Sequence, residues 1–170
     1  QSYHDQNQNP EIHVINADGS NHQRLTTNAG YDGTPTWSAD GQTIAFGSTR
    51  DGQPTAIYLM ARDGTHQRRL LTGYNPVWSP DGQQLAYQVT QDGIPSLYRM
   101  RSDGTQQTLV VRNQLFVGKV VWSPDSQMFA FSVQRAGSFK SGVRLISADG
   151  STQRDVLNLR TTNTVSDWIP

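Results

Sequence analysis

The groups in this chain able to bind a metal or move a proton are four histidines and fourteen carboxylates, with no cysteine. His4, His13, His22 and His66 have no His or Cys partner at metal-ligand spacing. Seven of the acids sit in recurring pairs: Asp18, Asp40, Asp63, Asp81, Asp103 and Asp149 each precede glycine, and Asp125 precedes Ser126. A calcium loop needs alternating carboxylates, a glycine and a closing glutamate, and that order does not occur. Turn chemistry explains the pairs instead, because Asp bonds its own backbone and Gly takes a positive φ freely. A serine nucleophile would need a strained elbow of the type Gly-x-Ser-x-Gly with a histidine beside it. The segment Gly137-Ser138-Phe139-Lys140-Ser141-Gly142 is not one and reads as a strand connection. Glycine-rich phosphate loops are absent, and lysine occurs only at positions 119 and 140. These residues predict no catalytic centre, no metal site and no cofactor.

Composition narrows the class further. The chain has 170 residues, 34% of them hydrophobic and 16% charged, with 14 bases against 14 acids. A neutral balance without a basic stripe argues against nucleic-acid binding. Apolar runs reach only the length of Phe129-Ala130-Phe131-Ser132-Val133, whereas a membrane span takes about 20 residues. No membrane insertion is expected, and Gln1-Ser2-Tyr3-His4-Asp5 lacks the basic start of a signal peptide. Polarity is carried by 17 Gln and 9 Asn, while 15 aromatic residues recur at regular places, which argues against disorder.

What must position these groups is a repeat. Tryptophan stands at 37, 78, 122 and 168, spaced by 41, 44 and 46 residues. Around it the chain reads Pro35-Thr36-Trp37-Ser38-Ala39-Asp40-Gly41, Pro76-Val77-Trp78-Ser79-Pro80-Asp81-Gly82 and Val120-Val121-Trp122-Ser123-Pro124-Asp125-Ser126. A second landmark, the Asp-Gly pairs at 18, 63, 103 and 149, keeps the same period. Between landmarks lie short branched and aromatic runs such as Ile44-Ala45-Phe46, Ala56-Ile57-Tyr58-Leu59-Met60 and Arg68-Arg69-Leu70-Leu71. Such runs joined by Asp-Gly turns are hairpin-linked antiparallel strands, and no segment keeps a helical period. Four strands per repeat of this length predict an all-β chain of propeller blades.

The wording Trp-Ser-Pro-Asp-Gly, an apolar strand, Ile-Tyr-Leu-Met, Asp-Gly-Thr and then Arg-Arg-Leu-Leu-Thr resembles the WD-repeat-like blades of the TolB family. The same blade occurs in the propellers of prolyl oligopeptidase and tricorn-type peptidases. The resemblance covers roughly residues 11–170, departing at Ala39, Ser126 and Ile169-Pro170. It implies a β-propeller with three complete blades, about 31–73, 74–113 and 114–160, and a fourth split between 1–30 and 161–170. The last strand, Val165-Ser166-Asp167-Trp168, then either closes a four-bladed ring or leaves an open arc, two copies of which complete an eight-bladed homodimer. The resemblance further implies a non-catalytic scaffold that binds a protein or peptide in a periplasmic or otherwise extracytoplasmic setting. Two alternatives remain: an accessory propeller of a peptidase-like or carbohydrate-active enzyme, or a self-assembling unit without a ligand.

Within that frame the tryptophans are expected to pack between blades, with most of each ring buried. A ligand would meet one end of the central channel, where residues just before each Trp enter the inner strand. Those positions differ between copies while turns and core repeat. Tyr31, Thr34, Tyr74, Asn75, Phe116 and Lys119 are the candidate partner-binding residues, supplying aromatic rings and a lone cation.

Overall fold

A computed structural model describes residues 9–52, 54–112, 116–134 and 141–158. Among the described residues there are fourteen strands, in chain order β1 (His13–Val14), β2 (Gln23–Arg24), β3 (Asp32–Trp37), β4 (Thr43–Ser48), β5 (Ala56–Ala61), β6 (Arg68–Thr72) and β7 (Tyr74–Trp78). There follow β8 (Gln84–Gln91), β9 (Ile94–Arg101), β10 (Thr108–Arg112), β11 (Phe116–Trp122), β12 (Met128–Gln134), β13 (Ser141–Ser147) and β14 (Gln153–Asn158). They form three four-stranded antiparallel sheets, β3 to β6, β7 to β10 and β11 to β14, each in simple sequential order, plus the pair β1–β2. These are the expected propeller blades. The expected strand at 165–168 lies outside the described residues.

Contacts divide the chain into two compact units, 1–76 and 77–170. In the first, Ile12, Leu25, Ile44, Phe46, Ala56, Tyr58 and Met60 form one core. In the second, Ala86, Leu97, Val110, Val120, Trp122, Phe129, Phe131, Val133 and Ile146 form another. The middle strands are apolar almost continuously because both faces are covered: five of six residues are buried in each of β4 and β5. The outer strand β6 has none fully buried, which is why Arg68-Arg69 is tolerated there.

The turns from first to second strand are built alike. Asp40 accepts from the Ser38 hydroxyl at 2.6 Å and from the Gln42 amide at 3.0 Å, while the Ser38 hydroxyl accepts from the Thr43 amide. Ser79 with Asp81 and Ser123 with Asp125 repeat the arrangement at 2.5 Å. Ser126 occupies the glycine position with φ 60°, close to 66° for Gly41 and 71° for Gly82. The departure from Gly leaves the turn unchanged and adds a bond between blades. Ser126 Oγ, on a buried residue, accepts the Asp81 amide from the preceding blade's turn at 3.1 Å.

The third-to-fourth turns are not all of one kind. Those at Asp18, Asp63 and Asp103 close with amides of Asn16, Ala61 and Arg101 donating to carbonyls four residues on. The turn at Asp149 closes from the Ser147 amide to the Thr152 carbonyl, five residues on. Its wording, Ser147-Ala148-Asp149-Gly150-Ser151-Thr152, matches Ser38-Ala39-Asp40-Gly41-Gln42-Thr43 from the other turn class at all but the fifth place. The Asp-Gly landmark thus conceals two geometries.

Candidate functional site

The candidate positions fall where β3, β7 and β11 begin. In β3 the pairing runs Gly33 to Gly47 and then Thr36 to Ala45, so two residues oppose Phe46 alone. In β11 it runs Val117 to Ser132 and then Val120 to Phe131, which leaves Gly118 and Lys119 unpaired. Such bulges re-aim side chains next to binding sites. Thr34 has φ 50° and Asn75 has φ 49°, three residues before Trp37 and Trp78; in β11 Gly118, four before Trp122, takes φ 80°. A β-branched residue in the left-handed region costs about 1–3 kcal/mol and persists only where its surroundings enforce it.

Two glycines make room beside it. A Cβ on Gly33 would lie 2.0 Å from the Tyr31 hydroxyl oxygen, so the half-buried Tyr31 ring is folded back over it. A Cβ on Gly47 would stand 3.2 Å from Thr34 Oγ1. The Tyr31 amide donates to Thr49 Oγ1 at 2.9 Å, and its carbonyl accepts from the Thr49 amide. Tyr31 and Thr34 thus lie within three residues of each other where β3 begins, Tyr31 against Gly33 and Thr49 and Thr34 against Gly47. Tyr74 and Asn75 are half-buried neighbours at the start of β7. Phe116 opens β11 opposite Val133, and Lys119 is exposed on the bulge whose Gly118 carbonyl accepts from the buried Gln88 side-chain amide at 3.3 Å. Asn163, Thr164 and Val165, at the same place in the fourth copy, lie outside the described residues.

Beside Tyr31 is a polar cluster that sequence reasoning missed. Asp32 is 0% exposed and pairs with Arg50 Nη2 at 2.8 Å. Asn28 donates to the same oxygen, while Asp32 Oδ1 is buried without a partner among the described residues. The Arg50 guanidinium lies 4.5 Å from the Tyr58 ring centre and 5.2 Å from that of Phe46, and also donates to Gln67. Tyr58 donates to Asp51, and burial first, then that bond, pushes its phenol above the ordinary value. The available signal was that Asp32 stands five residues before Trp37, where the other copies carry Gly73 and Val117.

Two expectations need correction. Trp122 is 5% exposed, lies tilted against Phe129 at 4.0 Å between ring centres and donates to the Val77 carbonyl of the preceding blade at 3.1 Å. Trp78 is also buried, but Trp37 is 44% exposed. A first strand in the preceding sheet supplies the carbonyl for Trp122, and the β1–β2 sheet has no first strand among the described residues. Trp168 lies outside them. Second, His13 and His22 do have a His partner: His13 Nδ1 and His22 Nε2 are 3.0 Å apart with rings stacked at 4.9 Å. Burial and then the His22 charge depress the His13 value. Cross-strand placement made the contact, which no sequence spacing reveals. No three His, Asp or Glu groups converge as a metal site would require among the described residues.

A family model described as the TolB β-propeller domain matches residues 3–170. The chain belongs to that family. A TolB-type blade match is also found with the Tol-Pal system protein TolB of Desulfosudis oleivorans, 46% identical over 44 residues, or 26% of this chain and 10% of that protein. TolB from Acinetobacter baumannii superposes with a TM-score of 0.74 at 19% identity, over 85% of this chain and 37% of that one. The β-propeller domain of the Trilobed protease from Pyrococcus furiosus gives 0.60 at 14% identity, over 77% and 45%. At those identities the two structures share the fold with this TolB-type chain, which spans less than half the length of either.

Proposed function

We propose that this TolB-type chain is a non-catalytic binding module that presents the starts of its first strands, bulged in β3 and β11, to a protein or peptide outside the cytoplasm. The observation that carries this reading is the left-handed backbone at Thr34, Asn75 and Gly118. A left-handed residue recurs there in every complete blade, yet the side chains differ, as expected of a surface specialised copy by copy. Tyr31 and Tyr74 bring rigid amphipathic rings and Lys119 a charge, the residue types that anchor peptides. Self-association is part of the reading, favoured by the open indole of Trp37. Light scattering on a sizing column tests it: a mass of twice 18.9 kDa supports a paired ring, and a single 18.9 kDa species at all concentrations removes that part.

Peptide display against the immobilised chain tests the binding reading. Selected peptides should lose at least about tenfold in affinity on Tyr31→Ala or Tyr74→Ala, as for interface anchors. Peptides that ignore both substitutions and Lys119→Ala would place binding elsewhere and sink the proposal.

A further inference from the structure

The third strands align residue for residue through a shared partner: Ala45 faces Leu59, Ala86 faces Arg99 and Ala130 faces Leu145. Leu59 is 5% and Leu145 9% exposed, so this place in the blade is apolar and buried. The second blade puts an arginine there. Two residues on, where the other blades carry Ala61 and Ser147, it has Arg101. The two guanidinium side chains share one face of β9, since alternate residues of a strand point the same way.

That exchange accompanies a cavity of about 240 Å³ whose lining includes Gln83, Gln84, Arg99, Arg101, Gln106 and Thr108. Arg99 Nη1 donates to Gln84 Oε1 at 2.7 Å, while its Nε is buried with no acceptor. Among the described residues no carboxylate forms an ion pair with Arg99. A half-buried guanidinium held by an amide oxygen is an incomplete arrangement, and a leucine would fill the place at lower cost. The planar fork matches a carboxylate with two parallel bonds. Arg101 is partly balanced by Asp103, whose carboxyl is held low first by the Thr105 hydroxyl, then by the Thr105 amide, and less by Arg101. With the Asp103 carboxylate two residues along the chain from Arg101, a phosphate dianion is repelled more than a carboxylate monoanion.

We propose that this cavity in the second blade binds a carboxylate, gripped by Arg99 and Arg101 with the amides of Gln84 and Gln106 alongside. The site uses none of the residues proposed to anchor a peptide and survives if that reading fails. A small free acid and an acidic side chain of a partner offer the same carboxylate, and one experiment separates the two sources. The full chain is titrated with N-acetylglutamate methylamide, with a pentapeptide having one glutamate among alanines, and with sodium phosphate, following the Arg99 Nε–Hε resonance. A saturable shift with the blocked amino acid supports the proposal with a small acid as ligand. A shift with the pentapeptide alone supports it with an acidic partner segment.

Arg99→Leu restores the residue of the other blades, should melt no lower than the parent and should abolish the response. Arg99→Lys keeps the charge without the fork and should weaken binding by about tenfold, the worth of a charged hydrogen bond. Should Arg99→Leu not fold, Arg99→Lys decides. Unchanged binding by either folded variant, a response to phosphate alone, or no saturable shift with either carboxylate overturns the proposal.

Discussion

One repeat is fastened in two ways in the two units. In unit 1–76 two carboxylates are buried inside the structure. Glu11, 2% exposed, accepts from Arg24 at 2.8 Å and from the Thr26 hydroxyl at 2.5 Å, and Asp32 holds Arg50. In unit 77–170 the corresponding role falls to aromatic packing and to bonds from blade to blade: Trp122 on Phe129 and onto the Val77 carbonyl, and Ser126 onto the Asp81 amide. Desolvating an ion pair cancels much of its Coulombic gain, so such pairs fix geometry more than they stabilise. Apolar contact adds stability in proportion to area but specifies position less sharply. The contrast shows that a blade motif dictates strands and turns and leaves each copy free to choose its fastening.

The comparison breaks most visibly at tryptophan. Trp122→Ala should cost about 3–5 kcal/mol in a chemical denaturation series, the range for large buried aromatics. Trp37→Ala, at an open indole, should cost under about 1 kcal/mol. Equal losses would mean that both rings are covered in solution and that the contrast between copies is false. Next comes Asp32→Ala, expected to cost roughly 3 kcal/mol because Arg50 is left charged and only 17% exposed. Glu11→Ala should cost less, since Arg24 is 31% exposed and water can replace its partner. If Asp32→Ala melts as the parent does, ion pairing is not what fastens the first unit.

Much of this was legible in the sequence, for physical reasons that differ by element. The Trp-Ser-x-Asp-Gly turns and the middle strands were readable because their chemistry is local: hydroxyl to carboxylate over two residues, and burial on both faces. The fastenings were not readable, because they join residues distant in the chain. Arg50 reaches Asp32 across 18 positions and His13 reaches His22 across nine. Trp37 was misjudged because burial depends on what stands opposite and not on the residue itself. The candidate site was half visible: divergence among copies marked Tyr31, Thr34, Tyr74, Asn75, Phe116 and Lys119, but the bulges and left-handed backbone beneath them were not foreseen. Reading Thr49 to Arg62 against Val89 to Ser102 by the same comparison of copies would have exposed Arg99 in place of leucine.

Ser126 offers a finer test of bonds between blades. Ser126→Ala keeps a side chain at φ 60° and loses the acceptor for the Asp81 amide, so it should cost about 1–2 kcal/mol. Ser126→Gly loses the same bond but relieves the left-handed strain, and should cost about 1 kcal/mol less than the alanine variant. A glycine variant less stable than alanine would show that the backbone at 126 is not strained and that chain entropy dominates.

The smallest expected effect concerns the turns themselves, where the two units are alike. The carboxyls of Asp18, Asp40, Asp63, Asp103 and Asp125 all lie below the ordinary value, each chiefly through a bond from a neighbouring Ser or Thr hydroxyl. Asp149 goes furthest, to about 2, because Ser147 and Ser151 both bond it. A carboxyl depressed in the folded state stabilises fully above its unfolded value of 3.8 and ceases to do so as pH falls through the folded value. Stability should therefore decline between about pH 4 and pH 2 through several small, similar contributions. Asp149→Asn should flatten the lowest part of that decline while leaving the melt at neutral pH slightly lower. Tyr87, buried and raised to about 12, acts at the other end: its contribution is present below 10 and fades as pH climbs to that folded value. Thermal melts from pH 2 to 7 on the parent and Asp149→Asn decide the acid limb. Identical slopes would remove Asp149 from the acid limb and leave it to the turns at Asp18, Asp40, Asp63, Asp103 and Asp125, which the two units share.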